Sequence, residues 1–359
     1  MAGTLFIDDL IPEILAFSSW WPRDLSRLAL ISPSWLLYAR KQLYSKPSLR
    51  SFPSCIRFAR TIQSSPHLCY LIKGIELCPT FEDNGPRYFG AEEMRAIRMI
   101  LALTGLKSVT LGGEIAVCAE RFLNCLTHPH ILEELTIDGS LIAHSLSARP
   151  SFEWDEVMAN KFAGVQKLRL LHLELDIMYT SSPYQLQLAD LILESVDIIS
   201  GDISWLLQNT SALRCLQVSG ESSFDLGEQV SVVLQSYHLE TLHYAVGTSS
   251  SWDSMLFARS LAGATSLRSL YLDGVRVDSE TLHAIHAQCP AMEQLYVSGR
   301  YVPLTREEWV GCIASGLFPA LRKLGLPEGT FCPPFIKWTA SLEPALLNAC
   351  ARRGVLLLH

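Results

Sequence analysis

The fold of this chain is decided by a pattern found in Leu267-Arg268-Ser269-Leu270-Tyr271-Leu272-Asp273-Gly274. An apolar residue is followed by two others, a second apolar residue, one other, and a third apolar residue. The alternation around Leu270 and Leu272 predicts a short strand with one buried face, because successive side chains of a strand point to opposite sides. Ten segments follow the pattern, and their apolar positions are Ile72/Ile75/Leu77, Leu106/Val109/Leu111, Leu132/Leu135/Ile137, Val165/Leu168/Leu170, Leu188/Leu191/Leu193, Leu213/Leu216/Val218, Leu239/Leu242/Tyr244, Leu267/Leu270/Leu272, Met292/Leu295/Val297 and Leu321/Leu324/Leu326.

The copies between Leu106 and Leu321 recur with a mean spacing of about 27 residues. Such a period is typical of repeat proteins, in which each unit buries its apolar face against its neighbours. Strands that alternate with helices at this spacing are parallel to one another. Segments with helical periodicity follow many of the predicted strands, at residues 91–103, 115–126, 228–235, 254–261, 279–288 and 306–315.

The repeated pattern resembles irregular leucine-rich repeats. The resemblance implies an α/β fold over residues 71–359, a leucine-rich-repeat-like solenoid with parallel strands on the concave face and helices on the convex face. Residues 355–358 are expected to add a last strand at the end of the sheet. Several copies end at a glycine, where the chain could leave the strand with a positive φ. These glycines are Gly139, Gly220, Gly274 and Gly299.

The residues between the apolar positions of each strand are expected to form rows on the face away from the helices. Tyrosine and arginine dominate protein interfaces because they bury a large area and keep a polar group. We therefore predict a target-binding surface on this face. The alternative is that these tyrosines only reflect β propensity and are solvated. The candidate residues are Arg169, Gln217, His243, Tyr271, Gln294 and Tyr296.

The sequence of residues 5–47 indicates a separate module of three short helices. Pro12 and Pro22 suit the first turns of two of them. Ser32-Pro33 ends the second helix before a third begins. A unit this small and apolar needs a partner surface. Residues 48–70 are predicted to be a helical junction to the repeats.

The order of residues in this module resembles the F-box, which binds the adaptor subunit of a cullin-RING ubiquitin ligase. The resemblance covers about one eighth of the chain. It implies two partners, the adaptor and, through the adaptor, the cullin. The alternative is that the helices only cap the end of the repeats. The residues expected to contact the adaptor, or to support that contact, are Leu10, Pro12, Ile14, Leu15, Leu25, Leu28, Ile31 and Trp35.

The composition of the chain argues against nucleic acid and membranes as further partners. The formal charge of −7 and the absence of a basic stripe argue against nucleic acid. No apolar run is long enough to span a membrane, and the N-terminal stretch lacks the positive segment of a secretory signal. The ten cysteines are scattered without a C-x-x-C pair, which favours reduced thiols in the cytoplasm or nucleus.

No familiar catalytic motif occurs in the sequence, so we expect no catalytic residue, no metal and no cofactor. His283 and His286 are three residues apart, but no carboxylate or thiol supports them as metal ligands. Cys215 is a weak candidate for a nucleophile. The resemblance thus implies a non-catalytic subunit that recognises an unknown target protein for an SCF-type ligase. Two alternatives remain, namely a ubiquitin-independent scaffold with a degenerate F-box and, in another class, a hydrolase or thiol enzyme.

Overall fold

The computed structural model divides the chain into two compact units, Met1–Pro150 and Ser151–His359. Both predicted module boundaries, at residues 47 and 70, fall inside the first unit. The residues that the structure describes are 10–17, 20–81, 89–143, 149–179, 185–220, 224–247, 256, 264–299, 302–327, 329–331, 335–337 and 343–358.

Three helices begin the first unit, namely α1 (Ile11–Ala16), α2 (Pro22–Leu28) and α3 (Pro33–Ser45). Each has a proline in its first turn, where the missing N–H costs no hydrogen bond. The hydroxyl of Ser32 caps α3 by accepting a hydrogen bond from the backbone N–H of Trp35 at 3.3 Å. Among the side chains that the structure describes, the buried core of these helices is small and consists of Ile11, Leu15, Leu25 and Ala39.

A parallel sheet follows in the same unit, with the strand order β1-β2-β3-β4. Its first strand, β1, lies in the segment predicted to be only a helical junction. Leu49 of that strand is buried and in register with Leu77. The elements are β1 (Ser48–Leu49), α4 (Phe52–Ser64), a 3-10 helix (Pro66–Leu71), β2 (Gly74–Leu77), α5 (Ala91–Leu101), β3 (Ser108–Gly112), a 3-10 helix (Gly113–Cys118), α6 (Ala119–Leu123), a 3-10 helix (Pro129–Ile131), β4 (Glu134–Asp138) and α7 (Ser140–Ala143).

The second unit contains eight more parallel strands, in the order β6-β8-β10-β11-β12-β13-β14-β17. It also has a three-stranded sheet, β5-β7-β9, and a hairpin, β15-β16, which the repeat pattern did not predict. The elements are β5 (Ser151–Trp154), α8 (Glu156–Lys161), β6 (Lys167–Leu171), β7 (Glu174–Ile177), β8 (Asp190–Glu194), β9 (Asp197–Ser200), α9 (Ile203–Leu206), β10 (Cys215–Gly220), α10 (Phe224–Ser236), β11 (Thr241–Val246), a 3-10 helix (Ala264–Ser266), β12 (Ser269–Asp273), α11 (Ser279–Gln288), β13 (Gln294–Ser298), α12 (Arg306–Ser315), β14 (Lys323–Gly325), β15 (Gly329–Phe331), β16 (Phe335–Lys337), α13 (Glu343–Arg353) and β17 (Leu356–Leu358).

The chain is thus an α/β protein, and its described residues form twelve parallel strands, four in the first unit and eight in the second. Each of the ten predicted copies contains one of these strands, and the expected last strand is β17. Equivalent leucines of neighbouring repeats are in register and almost fully buried. Burial of one such leucine contributes about 1.5–3 kcal/mol, so the repeated leucines stabilise the sheet. Examples are Leu191, Leu216, Leu242, Leu270 and Leu295.

The helix predictions vary in accuracy. The bounds of α11 and α12 match those predicted, and both helices have side-chain caps, from Asp278 and Thr305 respectively. By contrast, α10 begins four residues earlier than predicted, and the segment predicted at 115–126 is a 3-10 turn followed by α6. The helix predicted at residues 254–261 lies outside the described residues, except for Leu256.

Glycines at the strand ends behave in two ways. Gly274 and Gly299 have φ values of 69° and 97°, in the region that side chains disfavour, as predicted. Gly220, in contrast, continues β10 as its last residue. A positive φ directly after the strand thus recurs in several repeats but not in all of them. Further examples, after β3, β6 and β8, are Gly113, His172 and Ser195.

Candidate protein-interaction surfaces

One face of the sheet in the second unit carries the predicted target-binding residues. Along β11, β12 and β13, buried apolar residues alternate with half-buried polar or aromatic ones. We call the side of the half-buried residues the open face. Gln217, His243, Tyr271 and Tyr296 occupy matching positions on four successive strands. The repeat register thus brings these candidate residues together.

Three rings of this row form an aromatic stripe, which consists of His243, Tyr271 and Tyr296. The ring centroids of His243 and Tyr271 are 5.5 Å apart, and those of Tyr271 and Tyr296 are 5.9 Å apart. The Tyr271 hydroxyl donates a hydrogen bond to Gln294 Oε1 at 3.3 Å. Distances between ring centroids in this range are favourable for aromatic pairs. The predicted residue Gln294 therefore holds one ring of the stripe in place.

The stripe ends where the ring of Tyr296 lies over Gly325. A Cβ atom added at Gly325 would lie 1.8 Å from Tyr296 Cδ2. Gly325 is in register with Tyr296 on the next strand, so its missing side chain leaves the room that the ring occupies. The sequence pattern placed both residues in one row but gave no sign of this contact.

Arg169 lies in the same row but apart from the stripe. It is on β6, and Ile192 of β8 separates it from Gln217. Its Nε atom is buried and has no hydrogen-bond partner among the described residues. On the same strand, Lys167 is in register with Asp190 of β8, so residues of opposite charge lie side by side there. Arg169 is therefore not in position to contact a ligand that touches only the three rings.

Two carboxylates beside the stripe were not predicted as site residues. Glu194 and Asp273 are the last residues of β8 and β12, and both follow the third apolar position of their repeat. The Ser298 hydroxyl donates a hydrogen bond to Asp273 Oδ1 at 2.6 Å. The sequence could have indicated both carboxylates, since the position after the third apolar residue also alternates with the buried residues and therefore lies on the open face.

The environment of His243 favours its neutral form. Burial lowers the pKa of the His243 imidazole from its ordinary value, while the carboxylates of Asp273 and Glu194 act in the opposite direction. Desolvation disfavours a charged ring, and here it has the larger effect. The stripe thus presents an uncharged imidazole at neutral pH.

This lowered pKa predicts a contribution to acid sensitivity. Below the ordinary His value of 6.5, the unfolded chain protonates this ring more readily than the folded chain does, so stability falls as the pH falls. We expect His243→Gln to reduce the loss of stability between pH 7 and 5, as measured by urea denaturation. The exposed His238, replaced in the same way, controls for the loss of a histidine. The same pH dependence in wild type and His243→Gln would contradict the prediction.

The predicted adaptor-binding residues divide into buried and exposed groups. Leu15 and Leu25 belong to the core of the three helices, while Leu28 and Trp35 are half-buried against that core. These four can support a docking surface through the fold of the helices. The exposed members, which a partner can contact directly, are Leu10, Pro12, Ile14 and Ile31.

Other large apolar side chains, which the resemblance did not indicate, are also exposed here. Phe17 is 94% exposed, Leu30 87% and Trp21 76%. Leu10, Ile14 and Phe17 are spaced by four and three residues, which places them along one side of α1. We use the term N-terminal apolar surface for the exposed apolar side chains of these helices and their connections. Its members are Leu10, Ile14, Phe17, Trp21, Leu30, Ile31, Leu36 and Leu37.

The described residues offer little for catalysis or metal binding. Burial, and then the charge of Asp190, raise the pKa of the Cys215 thiol, while Lys167 acts in the opposite direction. A raised pKa keeps the thiol protonated and thus weakly nucleophilic. Within the described ranges, no group of three or more His, Cys, Asp or Glu side chains could hold a metal ion. In the same part of the chain, none of the helices has the length and apolar character that crossing a bilayer requires.

Comparisons with known proteins do not assign the chain to a family. No protein-family model matches it, and no curated protein matches it significantly.

Proposed function

We propose that this chain is a non-catalytic substrate-recognition subunit of an SCF-type ubiquitin ligase. In this proposal the three N-terminal helices are an F-box that binds the adaptor, which in turn binds the cullin. The parallel strands and helices form a leucine-rich-repeat-like solenoid, and its open face binds the target protein. The protein would act in the cytoplasm or nucleus.

The observation that carries the proposal is the N-terminal apolar surface. Single exposed apolar residues are common, but several large ones on helices this short indicate an interaction site. Among the described side chains, the core beneath them contains four that are buried, one of which is an alanine. A partner that covers Phe17, Trp21 and Leu30 would remove much of their apolar area from water. Docking would therefore stabilise the helices as well as hold the partner.

The two surfaces suit a receptor that performs no chemistry itself. A subunit that binds a ligase through one surface and a target through another raises the concentration of the target near the ubiquitin-carrying enzyme. Such an effect needs two binding sites in one chain but no catalytic residue. The aromatic stripe supplies a candidate for the second site, since tyrosine contributes strongly to protein interfaces.

Binding to the purified adaptor tests the proposal. We expect the full chain to be retained on immobilised adaptor, and Ile14→Asp to weaken retention by about tenfold or more, because a carboxylate would be buried in an apolar interface. Ile14 is 40% exposed, so the helices should still fold. Ile31→Asp is a second variant with the same expectation, and circular dichroism checks the fold of both.

Val117→Asp is the matched control, because Val117 is 42% exposed and lies outside the three helices. Its retention should equal that of the wild type. If the folded wild-type chain is not retained, the ligase proposal is wrong and a ubiquitin-independent scaffold is favoured. If both Ile variants melt well below the wild type, the helices serve as an end cap of the repeats.

A further inference from the structure

The open face around the aromatic stripe has an uneven charge distribution. Its positions on β8, β10, β11, β12 and β13 include three carboxylates and neither lysine nor arginine. Asp190 is in register with Lys167 of the next strand, so a basic neighbour is available to it. Glu194 and Asp273 have no ion pair among the described residues, whose salt bridges lie elsewhere. The row that contains Glu194 and Asp273 is therefore acidic at neutral pH. The basic residues of this face lie on the flanking strands, namely Lys167 and Arg169 on β6 and Lys323 on β14.

Glu194 and Asp273 are separated by two small residues. Ser219 is in register with Glu194, Ala245 with Ser219, and Asp273 with Ala245. Three strand spacings of about 4.8 Å place the backbones of the two carboxylates roughly 14 Å apart. The side chains of Ser219 and Ala245 are too short to fill this interval. His243 lies one position earlier on the same face as Ala245.

We propose that the open face binds an extended peptide segment of the target that places an arginine side chain between Glu194 and Asp273, against the ring of Tyr271. This inference rests on the target-binding part of the proposed function and names the chemistry of the target. Charge complementarity selects a cation for this position. A phosphate-rich partner would be repelled by the same carboxylates.

Arginine fits the position better than lysine does. Its planar guanidinium group stacks on aromatic rings and carries five N–H donors in a fixed geometry. It can therefore donate to separate carboxylates while one face lies on a tyrosine. Asp273 accepts a hydrogen bond from Ser298 through Oδ1, which leaves Oδ2 for such a contact. A lysine ammonium is more strongly hydrated and does not stack.

The length of the row of side chains on the open face indicates how many residues of the target peptide it can contact. Gln217, His243, Tyr271 and Tyr296 span three strand spacings, roughly 14 Å, which an extended peptide covers with about five residues. The side-chain amide of Gln217 has no hydrogen-bond partner among the described residues. It could pair with the peptide backbone beside the stripe. The open face would thus contact the peptide through aromatic rings, through carboxylates and through an amide that pairs with the peptide backbone.

Binding of a short peptide to the full chain, without adaptor, tests the inference. The probe is the acetylated and amidated peptide GSAARAASG, with matched peptides in which lysine, glutamine or glutamate replaces the arginine. Saturation-transfer NMR detects the weak binding expected of so small a ligand, and a titration gives its affinity. We expect the arginine peptide to bind about tenfold more tightly than the glutamine peptide, and its side-chain protons to receive the strongest transfer.

Substitutions on the open face test where the peptide binds. Glu194→Gln combined with Asp273→Asn should reduce the affinity about tenfold, and Tyr271→Ala should reduce it similarly. Tyr271→Phe keeps the ring but loses its hydrogen bond to Gln294, so it should reduce the affinity much less than Tyr271→Ala. The matched controls are Glu307→Gln, on α12, and Tyr70→Ala, at an exposed tyrosine of the first unit. Both controls should bind like the wild type.

Equal binding of the arginine and glutamine peptides would overturn the inference, as would unchanged binding by the double variant. A lysine peptide that binds as tightly as the arginine peptide would overturn the stacking geometry. Adaptor retention of the same protein is measured separately. A chain that is retained by the adaptor but ignores the peptide refutes only this inference, whereas one that binds the peptide but not the adaptor refutes only the ligase proposal.

Discussion

Replacing Gly274 with alanine should lower the free energy of unfolding of the second unit by roughly 2–3 kcal/mol. Gly274 has a φ of 69°, and a Cβ atom there would lie 2.1 Å from the backbone oxygen of Val246. Alanine disfavours this dihedral angle, and the backbone of β11 must also move to relieve the contact. Since Gly274 follows Asp273, the substitution should weaken binding of the arginine peptide as well. Urea denaturation monitored by circular dichroism measures the change in stability.

Two other glycines separate the causes of this effect. Gly354 has a φ of 67°, but nothing lies within 4 Å of its added Cβ, so Gly354→Ala should show only the cost of the dihedral angle, about 1–2 kcal/mol. Gly311 lies inside α12 with open space around it, and Gly311→Ala should stabilise the helix by about 0.5–1 kcal/mol. If Gly274→Ala costs no more than Gly354→Ala, the contact with Val246 is not what requires glycine.

Leu25→Ala should have the largest effect on the N-terminal helices. Leu25 is one of the four buried residues that the structure describes in their core, and truncating a buried leucine costs about 2–5 kcal/mol. The half-buried Leu28 and Trp35 pack against the same core, so the cavity should loosen their packing as well. We expect the amides of α1, α2 and α3 to exchange with deuterium much faster in the variant, and adaptor retention to fall with them. Exchange of the amides in the second unit should be unchanged.

Leu37→Ala provides the matched control on the same helices. Leu37 is exposed, so its truncation should change stability by no more than about 0.5 kcal/mol. Its amide exchange should resemble that of the wild type. Equal exchange in the Leu25 and Leu37 variants would contradict the assignment of Leu25 to a core on which the three helices depend.

The sequence predicts the strands of this protein better than its surfaces. All ten repeat copies contain a strand, because the alternation of buried and half-buried residues is a local signal. The small sheet was missed because its strands fall outside the repeated triplet, and β1 because it has only two residues. Capping residues such as Asp278 and Thr305 explain why the bounds of α11 and α12 were correct.

The predicted stripe residues lie together because parallel register places equivalent positions side by side. Their contacts were beyond prediction, since the room above Gly325 and the burial of His243 depend on the neighbouring strands. The N-terminal helices show the same limit. Both Leu15 and Phe17 are apolar, yet one is buried and the other almost fully exposed. In helices this short, the sequence does not fix which apolar residues face outward.

The alternation along β11, β12 and β13 has a consequence for how this protein can evolve. Residues such as Leu242 and Leu270 hold the sheet together, while His243 and Tyr271, their immediate neighbours in the chain, do not share that core. Mutation can therefore change the residues of the open face without changing the buried leucines. Related proteins could therefore acquire different ligands through single substitutions on the open face, with little loss of stability. Because the strand register is fixed, the position of each substituted side chain on that face would be predictable.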